Sequence, residues 1–291
     1  MWIVFSVFCL LSSAVWLIPP GTGDALPLLE QQCLLYAVAG LGAFLFVKRR
    51  VRARIAELHW VRLAAAGVIF LSVPAVLIES VGSRVLAVNR SAAFALLPAV
   101  VVLVTVSRPN AEEEDRRFLA PALMAFGGVL LLLPVALPGS AREWAMLVVV
   151  WLAVGLVAIA GVCIYRLLQA FAVVDAIALV CLANALFLLA WCSVTGSLVW
   201  QWSGFGAMVS IASLVGLVTL VLLIWLLREM SPVRFAARYL VIPLLTVVEG
   251  YIVLRPELTV RMGVGAALLA AGAAWILFSK ASGDEAVLSL R

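Results

Sequence analysis

Apolar residues fill this chain in stretches of about twenty, with no polar stripe within them, and short polar connections separate one stretch from the next. Ten such stretches can be drawn: 2–19, 30–47, 63–83, 88–106, 118–137, 145–165, 173–194, 205–227, 235–254 and 260–279. A helix rises about 1.5 Å per residue and the hydrocarbon layer is about 30 Å thick, so each can cross a membrane once. Unbroken runs such as Ala145–Tyr165 and Met208–Leu227 do not fit the short alternating segments of a closed β-barrel. The expected fold class is all-α and integral to the membrane, with ten transmembrane helices.

The pattern also repeats. Sliding residues 91–106 and 119–132 by 145 positions matches Ala92/Ala237, Pro98/Pro243, Val102/Val247, Ala122/Ala267, Leu123/Leu268, Ala125/Ala270, Gly127/Gly272 and Leu132/Leu277. Ala, Val and Leu coincide often in apolar sequence, so the proline and the glycine held in step carry the information. Five stretches fall in each half, which divides the chain into a first repeat over 1–140, a second over 145–280, and a short tail over 281–291. An odd number of spans per repeat turns the second copy upside down in the bilayer. Half-length inverted repeats of membrane helices are a transporter signature, in which two halves rock about a shared central site.

Composition agrees on the solvent. At 66% hydrophobic, 12% charged and a mean hydropathy of +1.21, the chain falls well short of the charged fraction of about 25% that coats soluble proteins. Charge placement then orients it, because cytoplasmic loops carry the Lys and Arg excess. Lys48, Arg49, Arg50, Arg52, Arg54 and Arg62 follow the second stretch; Arg108, Arg116 and Arg117 the fourth; Arg166 the sixth; Arg228 and Arg234 the eighth; Lys280 and Arg291 the tenth. The connections Thr22–Gln32 and Thr195–Gly204 have neither residue type. Arg84 with Arg90, and Arg255 with Arg261, dissent around two outer turns. Both termini are expected in the cytoplasm and the chain in the inner membrane of a bacterium. Met1–Pro20 reads as a retained first helix, since it has no basic leader and no small-residue cleavage pattern before Pro19-Pro20-Gly21. The net charge of +5 is spread over short flanks, which suits contact with anionic lipid and excludes a nucleic-acid module. The acidic run Glu112–Asp115 reads as a solvated loop tip.

The end of the second half runs Ala236-Ala237-Arg238-Tyr239-Leu240-Val241-Ile242-Pro243, then Gly250, Pro256-Glu257-Leu258-Thr259, Gly265 and Gly272. This resembles the closing helix pair of the EamA-like branch of the drug/metabolite transporter superfamily; the first half carries a weaker version in Ser91-Ala92-Ala93, Pro98 and Gly127-Gly128. The resemblance implies ten helices in two inverted five-helix repeats, and export of a small organic metabolite or drug by alternating access. It departs from the family where Pro256 replaces the acidic residue that usually precedes Leu-Thr by two positions, and in a first helix without the usual small-residue and Trp pattern.

Candidate chemistry lies in the ionisable residues placed in apolar stretches, which are expensive there and so nominate sites. Arg238, Ile242, Leu245 and Glu249 fall on one stripe of the ninth helix, with Tyr239 beside it. Arg238 either faces a cavity or snorkels to the cytoplasmic face, and Glu249 lies towards the outer end. Glu79 and Arg84 mark the outer end of the third helix. Asn184 in the seventh either contacts substrate or bonds a neighbouring helix, and Asp175 reads as its cap. Pro98 and Pro243 each remove a backbone hydrogen bond, as a bend at the cavity or a packing kink. Gly263, Gly265 and Gly272 permit close packing on the tenth helix, within the chain or in a homodimer. Trp191, Trp200 and Trp202 suit the interfacial belt. The five cysteines lack C-x-x-C spacing and read as apolar packers.

An enzyme is not expected. His59 is the only histidine and falls in the basic inner loop, so neither a cluster of histidine metal ligands nor an intramembrane Ser-His pair is expected, and no cofactor or metal motif is present. The expected partners are the bilayer, a small-molecule substrate and, left open, a coupling proton. A non-transporting membrane scaffold on the same helices is the alternative.

Overall fold

The computed structural model describes residues 1–17, 26–47, 57–107, 116–199, 211–255 and 259–279. They form α1 (Trp2–Ser13), α2 (Leu28–Leu45), α3 (Glu57–Val81), α4 (Ala87–Ala95), α5 (Leu97–Val106), α6 (Leu119–Leu132), α7 (Ala141–Leu168), α8 (Val173–Thr195), α9 (Ile211–Glu229), α10 (Pro232–Ala236), α11 (Arg238–Leu254) and α12 (Val260–Phe278), with no strand among the described residues. Eight apolar helical stretches are long enough to cross a membrane, counting α4 with α5 and α10 with α11 as single spans; α1 and α6 are shorter apolar helices. Large apolar side chains such as Leu45, Val194, Val260 and Phe278 stand exposed, as lipid-facing residues do. The chain is therefore a multi-pass membrane protein. Lys48 to Arg54, Glu112 to Asp115, Trp200, Trp202, Pro256, Glu257 and the 281–291 tail lie outside the described residues.

Helix starts echo the sequence period. Leu28 and Val173 open α2 and α8, and Ala87 and Pro232 open α4 and α10, each pair 145 positions apart. The local causes differ. Pro232 opens α10, where its missing N–H costs nothing. Thr259 caps α12, its hydroxyl accepting from the Met262 N–H at 3.3 Å. Gly196, at φ 65°, closes α8 in a Schellman turn, with Ser197 N–H to Cys192 O at 3.1 Å and Gly196 N–H to Ser193 O at 3.4 Å.

Packing groups the chain into two compact units, and each draws on both halves of the sequence. The first comprises Met1–Ser80 and Cys163–Ser231. Its centre is α2 against α8, and the register is antiparallel: Gly40 meets Leu182 and the Cys33 thiol donates to Ala185 O at 3.3 Å, while Glu30, further back on α2, accepts the N–H of Val199 beyond the end of α8. The second unit comprises Val81–Val162 and Pro232–Arg291. Its centre is α6 against α12, again antiparallel. A Cβ on Gly128 would lie 2.6 Å from Gly265 O, and one on Gly272 would lie 2.5 Å from Pro121 O, so the two backbones touch with no side chain between them. Arg261, near the start of α12, donates to Leu131 O at 2.8 Å and satisfies a carbonyl at the end of α6.

Two glycines from the sequence pattern behave differently from their neighbours. Gly127, the repeat mate of Gly272, faces open space, and the close contact belongs to Gly128. Gly263 likewise meets nothing, whereas Gly265 and Gly272 are consumed by packing on α6.

Candidate functional site

In the second unit, α4 and α5 are interrupted at Leu96, two residues before Pro98, which sits in the first turn of α5. The corresponding interruption between α10 and α11 falls at Ala237, whose N–H bonds Arg234 O at 3.1 Å in a tightened turn, and Pro243 lies inside α11. The helix is thus broken just ahead of Pro98 in one half and six residues ahead of Pro243 in the other.

The interruption at Ala237 brings Phe235 and Arg238 together. The Arg238 guanidinium lies 3.8 Å from the Phe235 ring centroid and 4.5 Å from that of Tyr239, and its Nη2 donates to the Tyr239 hydroxyl at 2.9 Å. Tyr239 in turn stacks on Phe94 of α4, centroids 5.8 Å apart and planes 26° apart. Arg238 is only 4% exposed. A cation removed from water against two aromatic faces gains about 2 kcal/mol from ring quadrupoles, which helps to hold a permanent charge here. Arg234, one turn earlier and also buried, reaches Ser279 O at 3.0 Å at the end of α12. Glu249 is half-buried on α11, eleven residues and about 16 Å of helix from Arg238.

The other candidates separate from this cluster. Glu79 is exposed near the end of α3, and Arg84 is exposed in the short 3-10 turn Gly82–Arg84. Asn184 belongs to the first unit, fully buried, where its Oδ1 accepts from the Ser72 hydroxyl of α3 and its Nδ2 donates to Val180 O at 2.7 Å. It bonds a neighbouring helix. Asp175 is buried in the first turn of α8, but it is not the cap: that position is held by Ala172 without a side-chain bond. Trp191 is 40% exposed and stacks with Phe187.

One polar group escaped the sequence reading. Glu30, 5% exposed in the first turn of α2, lines a pocket with Cys33, Cys192 and the leucines of α2 and α8, and its Oε1 accepts the Val199 N–H. A single acidic residue at the apolar start of a span was the available signal. No cluster of three or more His, Cys, Asp or Glu able to hold a metal occurs among the described residues.

No family model matches the chain, and no curated protein matches it. Seventeen chains of solved structures do match. One, described as "Crystal structure of protein", superposes with a TM-score of 0.72 at 18% identity, over 95% of this chain and 97% of that one. At that identity the likeness establishes a shared fold across nearly the whole length.

Proposed function

We propose that the protein is a secondary transporter of the drug/metabolite type, built as two inverted five-helix repeats, that moves a small organic metabolite or drug across the inner membrane by alternating access. The observation that carries this reading is the antiparallel packing of helices that the sequence period pairs. α6 and α12 stand in corresponding places of the two halves, as do α2 and α8, and each pair packs head to tail. Copies related by an axis along the membrane normal would run parallel; head-to-tail copies are what an axis in the membrane plane produces. On this reading α1 and α6 complete the ten spans, and each of the ten apolar stretches of the sequence overlaps one of these apolar helical stretches.

Arg238 and Tyr239 are the proposed substrate contacts, with Glu249 along the same helix. A guanidinium and a phenol held in one aromatic box offer charge-assisted and neutral hydrogen bonds to an organic anion, while the rings take up its apolar part. Export is the direction that the family resemblance favours, and Glu249 is the group proposed to carry a coupling proton. Purified protein in proteoliposomes, assayed for uptake and efflux against organic acids, amino acids and amphipathic cations, tests the proposal. Accumulation of at least one class above protein-free vesicles supports it; flux at the level of empty vesicles for every class, with correctly folded protein, would return the chain to the scaffold reading.

A further inference from the structure

We infer that the pocket around Glu30 is a binding site for a primary ammonium group carrying an apolar tail. Glu30 is 5% exposed and lines the pocket with Leu34, Leu188 and Leu189, the thiols of Cys33 and Cys192 being the other polar groups on the wall. The Val199 N–H bonds Oε1, and the residue stands in the first turn of α2. Among the described residues no full positive charge accompanies it. Neither α2 nor α8 contains a Lys, Arg or His, nor does the chain from Gly196 to Val199, and no basic side chain forms an ion pair with Glu30 among the described residues. A buried carboxylate with no cation beside it among the described residues offers an ammonium group both a hydrogen-bond acceptor and a complementary charge.

Shape selects the cation. The space free of atoms is about 320 Å³ counting its open mouth, and the room in it for a water-sized group is about that of one molecule. A primary ammonium is about that size, whereas a quaternary ammonium is not. The wall beyond is almost wholly apolar, so an alkyl chain at the mouth replaces water at the leucines. A free amine and the head group of an ethanolamine lipid share this chemistry. The inference does not rest on transport, since binding at this pocket requires no movement of substrate.

The test uses the full chain in phosphatidylcholine nanodiscs, titrated with n-butylammonium by calorimetry, with tetraethylammonium as the oversized control. Butylammonium is expected to bind and tetraethylammonium to fail. Glu30→Gln keeps an acceptor for the Val199 N–H and so preserves the fold, which a thermal melt verifies, but is expected to weaken binding by about thirtyfold or more. A second arm replaces part of the phosphatidylcholine with phosphatidylethanolamine. Loss of butylammonium binding there, restored neither by tail length nor by salt, identifies the lipid head group as the occupant; unchanged binding identifies a free amine. Failure of wild type to bind butylammonium in phosphatidylcholine, or equal binding by Glu30→Gln, overturns the inference. Glu30→Asp, which retains charge but shortens reach, should bind more tightly than Glu30→Gln; the reverse order would also overturn it.

Discussion

Adding one methyl group at Gly128 tests the packing on which the repeat argument stands. An alanine Cβ there would lie 2.6 Å from Gly265 O and 2.6 Å from Leu269 N, both backbone atoms of α12 that no rotamer change can move. Restoring a normal separation of about 3.5 Å requires the two helices to part by nearly 1 Å, and a gap of that size forfeits a quarter to a half of each contact it opens. Overpacking of this kind costs about 1–3 kcal/mol, against which alanine returns up to about 1 kcal/mol of helix propensity. The net expectation for Gly128→Ala is a loss of about 1–2 kcal/mol, seen as a fall of a few degrees in the melting temperature of purified protein. Gly127→Ala is the internal control, one residue away on the same helix with nothing within 4 Å of its Cβ; it should melt at or above wild type. Gly272→Ala, whose Cβ would sit 2.5 Å from Pro121 O, should behave like Gly128→Ala. The double variant should lose less than the two singles together, because helices already parted at one crossing admit the second methyl more cheaply. Equal melting of Gly128→Ala and Gly127→Ala would refute a backbone contact between α6 and α12.

The remaining predictions concern polar groups and orientation. Ser72→Ala and Asn184→Leu should each destabilise, and their double-mutant cycle in thermal or denaturant unfolding should give a coupling of about 0.6 kcal/mol, the usual size for a hydrogen bond between membrane helices; zero coupling would deny the bond. Arg238→Gln should leave membrane insertion intact while abolishing flux in proteoliposomes, and Arg238→Lys should not rescue it, because an ammonium has no planar face to lie on Phe235 and Tyr239; full activity of either variant removes Arg238 from the path. Glu249→Gln should change the pH dependence of flux, and an unaltered profile would exclude it as the proton carrier. A single cysteine at position 56 on a cysteine-free background should resist labelling from outside intact cells, and strong labelling there would invert the topology read from Arg-rich loops.

Much of the architecture could be read from the sequence because lipid leaves few options: a backbone that must satisfy its own hydrogen bonds makes helices, and apolar length sets where they lie. The 145-residue period likewise returned in the starts of α2 with α8 and of α4 with α10. What the period could not reveal is which small residue touches what. Gly127 and Gly272 align in sequence, yet contact falls to Gly128, one position and about 100° of helix rotation away. A sequence period aligns positions; the packing face is set by how the two helices cross, and glycine next to glycine leaves that choice open. The prolines differ in the same way: Pro98 stands two residues after a helix interruption and Pro243 lies inside α11, while each interruption is closed by a tightened turn, Leu96 N–H to Ala93 O and Ala237 N–H to Arg234 O.

Polar residues sort by a comparable logic. A charge alone in an apolar stretch flags itself, and Arg238 was visible for that reason, but the sequence could not supply the ring behind Tyr239, since Phe94 lies in another half of the chain and meets Tyr239 only through packing of α4 on α11. Asn184 gave no sign in the sequence of which neighbour it bonds, and that neighbour, Ser72, stands 112 positions away. Glu30 was the opposite case, hidden by standing at the margin of its span, where an acidic residue is ordinary and water is assumed to be near. Its chemical interest comes from burial, and burial there is produced by the end of α8 and the Val199 segment folding over the first turn of α2. A carboxylate at a helix start is unremarked when solvated and demands a partner when covered, so the same residue changes from bland to informative without any change in its sequence context.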